Sequence, residues 1–413
     1  MEILQMIVST FGILNMTMGQ AMMILISLFF MYLAIVKKYE PLLLLPLAFG
    51  ILIANLPRVG LDAYHFNPNN FEGTLSGVVR FDENGVPIPV PGGISQTWVP
   101  GLMNFLYSGI RMVIYPPLVF LCLGTMTDFG PLISNPKSAL IGIGGQLGIF
   151  VAFFISLFLV KYIPGFDGFT EMEAAAIGII GSSDGPTAIY AATRLAPHLL
   201  PPIAIAAFSY MALVPFIQPP IMRLLITKKE RVIVMPEPKR VTQKQKIIFP
   251  IVCTIVTLLF VPAAGALISM LMLGNLIRES GIADRYVRAF QNDLLSILTF
   301  LVALSIGSSA QADTFLQKET LIIIACGLLA FAFGTFGGIL VAKLLCFVTG
   351  GKVNPLIGNS GVSAMPMAAR ISQKMGQKFN TDNHLLMHAM GPIVSSTIGS
   401  AIVAGIFISY FTK

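Results

Sequence analysis

Charged residues are scarce in this sequence. Asp, Glu, Lys and Arg together make up 11% of its 413 residues, whereas a soluble domain carries roughly 25%. Hydrophobic residues make up 55%, so an ordinary soluble globular protein is excluded. The apolar residues stand in uncharged runs of about 20 residues, enough for a helix to cross a hydrocarbon core of roughly 30 Å. Three such runs are 18–36, 139–160 and 320–342.

Short segments of alternating polarity, which would indicate membrane-spanning strands, are missing, so we expect helical spans. Cysteine is also scarce. The four cysteines lie in apolar stretches without metal-binding spacing, and we expect them to be small hydrophobic side chains in packed helices. His384 and His388 are four residues apart, but no further ligand is spaced with them, so we expect no metal site there.

Basic residues give the sequence a formal net charge of +7. They gather in short segments, chiefly Lys37-Lys38 and the stretch 228–246, which is the signature of cytoplasmic loops in a membrane protein. We therefore expect a lipid bilayer, and no nucleic acid, as the partner of this chain. The longest polar loop, 57–99, has more acidic than basic residues and is expected to face the outside.

Threading the apolar runs between these anchors predicts an all-α polytopic membrane protein with about ten transmembrane helices. Two further segments, 173–195 and 356–372, are interrupted by glycine and proline. If the first of them crossed the membrane, the basic stretch 228–246 would end outside, against the positive-inside rule. We therefore expect both segments to be re-entrant hairpins.

The two halves of the chain share a pattern, G-x-[ST]-A-x-x-x-A-x-R, which begins at Gly185 in the first half and at Gly361 in the second. Upstream, Gly124 and Gly50 match Gly307 and Gly274 in the same order. Since the loop charges give the halves opposite orientations, the sequence predicts inverted repeats with binding sites near the membrane midplane. The predicted units are a first half 1–227, a basic cytoplasmic linker 228–246 and a second half 247–413.

The first hairpin contains Gly181-Ser182-Ser183-Asp184-Gly185-Pro186-Thr187. Glycine and proline break the helix here, and the freed backbone groups need a partner inside the membrane. Asp184 is the only acid between Glu173 and Glu230, and a carboxylate at this depth is costly without a partner. Sodium, a hard cation, and a proton both fit. The predicted oxygen ligands of sodium are Asp184, Ser182, Ser183 and Thr187. The alternative is an Asp that only caps the following half-helix.

The second hairpin contains Gly358-Asn359-Ser360-Gly361-Val362-Ser363 and no acid. Its amide, hydroxyls and carbonyls suit a weaker cation site, or they form a polar motif for helix packing. Asn354 is a further ligand or a turn residue. On this basis Asn354, Gly358, Asn359 and Ser363 join the predicted sodium site.

Two more types of side chain attract attention. Arg194 and Arg370 end the two hairpins, where an arginine either binds a carboxylate or extends to the membrane interface. Tyr210 lies in an apolar run and needs a hydrogen-bond partner, which a neighbouring helix can supply. Gln146 and Gln218 are interpreted as contacts between helices.

The segments GIIGSSDGPTAIYAATRLAP and GNSGVSAMPMAARISQKMG resemble the membrane β-subunits of the sodium-translocating biotin-dependent decarboxylases, which act on oxaloacetate, methylmalonyl-CoA or glutaconyl-CoA. The resemblance runs along nearly the whole chain and includes KKYEPLLLLPLAFG and MLMLGNLIRESG. It implies functional roles for six positions of this sequence, which are Asp184, Tyr210, Asn354, Gly358, Ser363 and Arg370. Asp184, Tyr210 and Arg370 are thereby the catalytic candidates, with Arg370 binding the carboxybiotin.

The resemblance also implies the cofactors and partners: a sodium ion, and biotin carried on a separate subunit. The partners would be a carboxyltransferase subunit, a biotin-carrier subunit, a small membrane subunit and further copies of the β chain. The chain would be a multi-pass protein of the bacterial inner membrane, releasing carbon dioxide from carboxybiotin while sodium is exported and a proton is taken up. From the residues alone, a sodium-coupled secondary transporter of an organic anion is the alternative.

Overall fold

The computed structural model describes residues 16–56, 102–237, 240–364 and 367–412. The described part contains helices and no strand, so the predicted all-α class is confirmed. The polar loop predicted at 57–99 lies outside the described residues.

Fifteen of the helices are used below. In chain order they are α1 Met18–Ile35, α2 Pro41–Asn55, α3 Leu102–Arg111, α4 Tyr115–Met126, α5 Ala139–Gly145, α6 Leu147–Phe154, α7 Glu171–Gly178, α8 Gly185–Leu195, α9 Leu200–Leu225, α10 Gln243–Phe260, α11 Gly265–Ser280, α12 Leu295–Ser308, α13 Lys318–Val348, α14 Met367–Phe379 and α15 Leu386–Phe411. Short turns of helix at 130–134, 228–231, 284–288 and 312–315 connect some of them.

Six helical segments of the described chain are long and apolar enough to cross a membrane, and the number rises to eight if two bent pairs are each counted as one span. In one bent pair, Phe105–Arg111 and Tyr115–Met126 meet at 73°. A multi-pass membrane protein is therefore confirmed. The figure of ten spans includes shorter helices such as α2, which has 15 residues, and it stays a prediction.

Helix α10 begins inside the segment predicted as the basic linker, and where that linker ends relative to the membrane stays a prediction. We expected it to reach residue 246, but α10 begins at Gln243. The reason is a capping interaction at its first turn, where Gln245 Oε1 accepts hydrogen bonds from the backbone N–H and the hydroxyl of Thr242, both at 3.0 Å. This interaction satisfies a donor at the helix start, so the helix extends into the basic segment.

Four short helices pack in two pairs, α2 against α12 and α4 against α11. A Cβ at Gly50 would lie 2.9 Å from the carbonyl carbon of Gly307, and one at Gly307 would lie 3.1 Å from Cα of Gly50. The second pair repeats this contact, because a Cβ at Gly124 would meet the backbone of Leu271 and one at Gly274 would meet the backbone of Leu121. Each pair joins one helix from each half, and the contact is crosswise: Gly50, which matches Gly274 in the sequence, packs on Gly307 instead.

The two breaks lie between the span 136–162 and α13. Gly181 packs on the backbone of Gly148 in that span, and Gly361 packs on Gly145 and Gly338. The two breaks also meet, because the backbone N–H of Ser363 donates to the carbonyl oxygen of Ser182 at 2.9 Å. Glycine is needed at these positions because a side chain would prevent the close approach of the backbones.

Candidate functional site

The first break is a sharp change of backbone direction. α7 continues as a turn of 3₁₀-helix at Ile179–Ser182, and Ser183 follows with a left-handed backbone, φ 57° and ψ 33°. Asp184 is extended, and α8 then begins at Gly185 with Pro186 in its first turn. Proline is well tolerated at a helix start because its missing N–H has no helical acceptor there. The sequence therefore breaks the helix at the residues that separate Gly181 from Pro186, as predicted.

Asp184 lies at this break and is buried, with 4% of its surface exposed. Its Oδ2 accepts hydrogen bonds from the hydroxyl of Thr187 at 2.8 Å and from the hydroxyl of Ser400, on α15, at 3.1 Å. The side chain does not make the backbone hydrogen bond that defines an N-cap. Within the described ranges, no Lys, Arg or His forms an ion pair with this carboxylate. A negative charge here is therefore compensated by dipoles, those of the two hydroxyls and of the N-terminus of α8, and not by a basic side chain of the described residues.

Further hydroxyls surround the break. Ser183 Oγ is buried and has no hydrogen-bond partner among the described residues. Ser182 Oγ donates to the carbonyl of Ile179 at 2.8 Å, and Ser363 Oγ donates to Ser396 Oγ at 3.1 Å. The break thus carries a carboxylate without a basic partner and, on the preceding residue, an unpaired hydroxyl. Both are hard oxygen donors, which suit a small hard cation.

A cavity of about 500 Å³ connects this site to the edge of the molecule. Asp184, Ser363 and Thr397 contribute its buried end, and partly or fully exposed residues such as Glu40 and Asn292 line the other end. Helices α2, α4 and α12 form the walls on one side. The two breaks, together with helices α9 and α15, form the walls on the other side. An ion can therefore reach Asp184 from one end of the helix assembly.

The second break forms a separate polar cluster. Asn359 Nδ2 donates to Gln218 Oε1 at 3.0 Å, and Gln218 Nε2 donates back to the carbonyl oxygen of Asn359 at 2.9 Å. Ser360 Oγ lies 3.3 Å from Ser372 Oγ, whose hydroxyl also donates to Asn359 Oδ1. The amide of Asn359 is thus saturated by protein groups, which is the helix-packing alternative left open above. Ser363 is the residue of this break that lines the cavity with Asp184.

Two predicted ligands occupy positions with a clear packing role. Asn354 is fully buried, its Oδ1 accepts from the N–H of Leu356 at 2.9 Å, and its Nδ2 donates to the carbonyl oxygen of Ile233 at 2.7 Å. It is a turn residue that ties the second break to the linker. Gly358 lets the backbone pass α13, because a Cβ there would lie 2.5 Å from Cα of Ile339.

The other catalytic candidates are Tyr210, on α9, and Arg370, on α14. The hydroxyl of Tyr210 donates to the carbonyl oxygen of Ile324 on α13, which is the neighbouring-helix contact considered from the sequence. Its neighbour Met211 lines the cavity, as does Phe208. Arg370 is exposed on the first turn of α14, where a group from another subunit can reach it.

Sequence reasoning missed the contribution of α15. Ser400 contacts Asp184, and Ser396 receives hydrogen bonds from Ser363 and from Gln146 Nε2 at 3.1 Å each. A signal was available, since Ser396 and Ser400 are four residues apart and therefore share one face of a largely apolar helix. Gln146 bridges two helices as interpreted from the sequence.

Comparison with known proteins gives consistent matches. A family model described as the Na⁺-transporting oxaloacetate decarboxylase beta subunit matches residues 19–411. The methylmalonyl-CoA decarboxylase subunit beta of Propionigenium modestum is 48% identical over 400 residues, 97% of each chain. The glutaconyl-CoA decarboxylase subunit beta of Acidaminococcus fermentans is 46% identical over 394 residues, 95% of this chain and 94% of that protein. The oxaloacetate decarboxylase beta chain 2 of Salmonella typhi is 44% identical over 431 residues, 99% of each chain.

Proposed function

Because the chain belongs to the family of Na⁺-transporting oxaloacetate decarboxylase beta subunits, we propose that it releases carbon dioxide from carboxybiotin and couples this reaction to sodium export and proton uptake. It is a multi-pass membrane subunit of a decarboxylase complex. The finer assignments below are proposals: the carboxybiotin substrate, the ions, the named partner subunits and the bacterial inner membrane.

The observation that supports the proposal is the environment of Asp184. A carboxylate that is 4% exposed and has hydroxyl groups as its hydrogen-bond partners is costly to keep charged in a dry site. A sodium ion bound to the carboxylate removes that cost by direct coordination, and a proton removes it by neutralising the group. The two cannot occupy the same carboxylate together, and this exclusion couples sodium release to proton uptake.

The sodium site is built around this carboxylate. Asp184 contributes the charge, and the preceding residue, Ser183, has a buried hydroxyl without a partner in the described structure. Further oxygens come from Thr187, which donates to Asp184, from Ser363, which lines the cavity with Asp184, and from Ser182, whose carbonyl oxygen accepts from Ser363. Gly358 and Asn359 act on the site through the shape of the second break, because Gly358 packs on α13 and Asn359 bonds to protein groups, whereas Asn354 ties that break to the linker.

The carboxyl group reaches the membrane from a partner subunit. A carboxyltransferase loads biotin on a carrier subunit, and the carrier presents carboxybiotin to the cytoplasmic face, where the basic linker and Arg370 lie. Arg370 binds the carboxylate with its planar set of donors. Cleavage of the N–CO₂⁻ bond releases carbon dioxide, and the ring nitrogen then takes a proton. Tyr210 is the proposed relay from the region of Asp184, which requires its hydroxyl to leave the carbonyl of Ile324.

The energy of the reaction is sufficient in order of magnitude. Moving one elementary charge against 100 mV costs about 2.3 kcal/mol. A decarboxylation worth several kcal/mol therefore drives about one or two ions per turnover. A small membrane subunit and further β chains complete the proposed assembly.

The test is reconstitution of the complete complex in liposomes. Asp184→Asn removes the charge that alternates between sodium and proton, so we expect loss of both ²²Na⁺ transport and sodium-dependent decarboxylation. Asp382→Asn is the matched control, because Asp382 is exposed in the loop after α14, and it should behave as the wild type. Normal pumping by Asp184→Asn would refute the proposed role.

A second readout tests the exclusion between the two ions. If a proton and sodium compete for Asp184, the sodium concentration that gives half-maximal activity must rise as the pH falls. The rise approaches tenfold per pH unit once the proton dominates. A sodium requirement that is independent of pH would contradict the exchange. The choice of reconstituted subunits tests the anion-carrier alternative. Such a carrier would transport in liposomes without any biotin-carrying subunit.

A further inference from the structure

The cavity that leads to Asp184 carries charge of one sign. Among the described residues that line it, the charged ones are Glu40 and Asp184. They belong to opposite ends, since Asp184 is buried and Glu40 is partly exposed at the start of α2. The basic residues closest in sequence to Glu40, Lys37 and Lys38, are exposed and do not line the cavity. A cation inside the cavity therefore meets two carboxylates and no lining lysine or arginine.

The wall between these two ends is polar along one line. Asn292, Ser296 and Thr299 all line the cavity, and their spacing of four and three residues places them on one face of a helix. Asn292 and Ser296 are exposed, Thr299 is half-buried, and Val302, one turn further, is buried. The polar groups thus run inward from the exposed end. The facing wall from α4 is apolar and includes Val119 and Leu123.

The backbone of Glu40 is unusual. Its φ is 35° and its ψ is 59°, a left-handed conformation that costs energy for a residue with a side chain. Glu40 occupies the N-cap position of α2, yet its side chain makes no capping hydrogen bond. The carboxylate is therefore not used to cap α2, and Glu40 lines the cavity with a backbone conformation that its side chain does not favour. Such outliers cluster at functional sites.

We propose that Glu40 is the entry site for sodium, a carboxylate at the mouth of the cavity that concentrates cations and delivers them along Asn292, Ser296 and Thr299 to Asp184. The inference rests on the proposed function, which identifies the ion as sodium and its origin as the cytoplasm. Glu40 attracts the ion without a full set of ligands, so the ion is held weakly enough to move on. Asp184, which is dry, binds it for transport.

The first test is the sodium dependence of decarboxylation by the intact complex in inverted membrane vesicles. Glu40→Gln keeps the size of the side chain and removes its charge. We expect the half-saturating sodium concentration to rise by roughly three- to tenfold at low ionic strength, with the maximal rate unchanged. The difference should disappear as N-methylglucamine chloride is raised, because salt screens an exposed charge.

Two variants control for this result. Asp293→Asn removes an acid next to Asn292 that is exposed and outside the cavity lining, and it should leave the sodium dependence unchanged. Glu40→Asp keeps the charge and should restore most of the wild-type behaviour. An equal effect of Asp293→Asn would assign the shift to general surface charge and would overturn the proposal.

The second test does not depend on turnover. Thr299→Cys is labelled in the complex with a cationic and an anionic methanethiosulfonate reagent, and the signal of the native cysteines is subtracted with the parent protein. We expect the cationic reagent to react faster, and we expect Glu40→Gln to lower the ratio of the two rates by roughly three- to tenfold. An unchanged ratio would refute Glu40 as the source of the attraction.

The two proposals fail separately. If Glu40→Gln changes neither the sodium dependence nor the labelling ratio while the wild type still requires sodium, the entry site is wrong and the proposed function stands. If the wild-type complex decarboxylates without any dependence on sodium, the proposed function fails, and the sodium entry site fails with it whatever the labelling ratio.

Discussion

At the scale of single residues, the first break combines two unfavourable neighbours. Ser183 has a left-handed backbone and a buried hydroxyl without a partner in the described structure, and Asp184 places a carboxylate in the protein interior. A left-handed backbone at a residue other than glycine costs of order 1–3 kcal/mol. Glycine would remove that cost, so the presence of serine indicates that its hydroxyl has a use. We interpret the use as coordination of sodium.

Ser183→Gly distinguishes the effect of the left-handed backbone from the effect of the hydroxyl. Glycine accepts the left-handed conformation without strain, so we expect the thermal stability of the purified protein to stay the same or rise. We also expect the half-saturating sodium concentration to rise, because one oxygen ligand is lost. The measurements are a melting curve in detergent and the sodium dependence of decarboxylation by the complex.

The control is Ser27→Ala, which removes another buried hydroxyl without a partner in the described structure, on α1. It should leave the sodium dependence unchanged. If Ser183→Gly also had the sodium dependence of the wild type, the hydroxyl would have to be taken out of the ligand set.

At the scale of elements, the packing of α2 on α12 and of α4 on α11 requires glycine at the contact points. A Cβ at Gly274 would lie 3.0 Å from the backbone nitrogen of Thr125 and would also meet the carbonyl group of Leu121. These are backbone atoms of α4, which cannot move as a flexible side chain does. Helix α4 forms one wall of the Asp184 cavity. Its position is fixed by backbone contacts with α11.

Gly274→Ala should destabilise the protein by about 1–3 kcal/mol, because α4 and α11 must move apart. Gly265→Ala is the matched control on the same helix, since a Cβ there would approach only the end of the Leu258 side chain, at 3.1 Å. It should be neutral or slightly stabilising, by up to about 1 kcal/mol, because alanine favours helix. Melting temperatures of the two variants measure the difference. Equal temperatures would show that the helices do not pack as described.

At the scale of the whole molecule, the linker is bound to the second break. Arg231 Nη2 donates to the carbonyl oxygens of Arg223 and Ile226, both at 2.7 Å, at the C-terminal end of α9, where a positive charge is favourable. The carbonyl oxygen of Arg231 in turn accepts from Nδ2 of Asn354 at 3.3 Å and from Nδ2 of Asn383 at 3.2 Å. The linker therefore contacts the second break, and Arg370 lies on α14, the helix that follows this break.

Asn354→Ala tests whether Asn354 is a ligand or a structural residue. As a structural residue it should, when replaced, loosen the linker, since buried N–H and C=O groups lose partners at a cost of about 1–3 kcal/mol. We expect faster tryptic cleavage in the basic linker with an unchanged sodium dependence.

Asn383 Nδ2 donates to the same carbonyl oxygen of Arg231, so Asn383→Ala should show the same cleavage. A large rise in the sodium requirement for Asn354→Ala, without faster cleavage, would instead support Asn354 as a sodium ligand.

Part of this arrangement was readable from the sequence. The helical spans follow from apolar runs, and both breaks follow from glycine and proline in segments that are otherwise apolar. Asp184 stands out because an acid in such a segment is expensive. The matching glycines predict where the halves correspond, and the inverted repeat stays a prediction. These signals are local or periodic, so they can be read from one amino-acid sequence.

The tertiary structure decided which polar side chains share a site. It brought Ser400 to Asp184 across 216 residues of sequence, and it directed the amides of Asn354 and Asn359 to protein partners instead. The physical reason is that a hydroxyl or an amide serves equally well as an ion ligand or as a link between helices. Composition cannot separate these uses, because only the packing of α15 and α13 on the two breaks determines which oxygens are left without a partner.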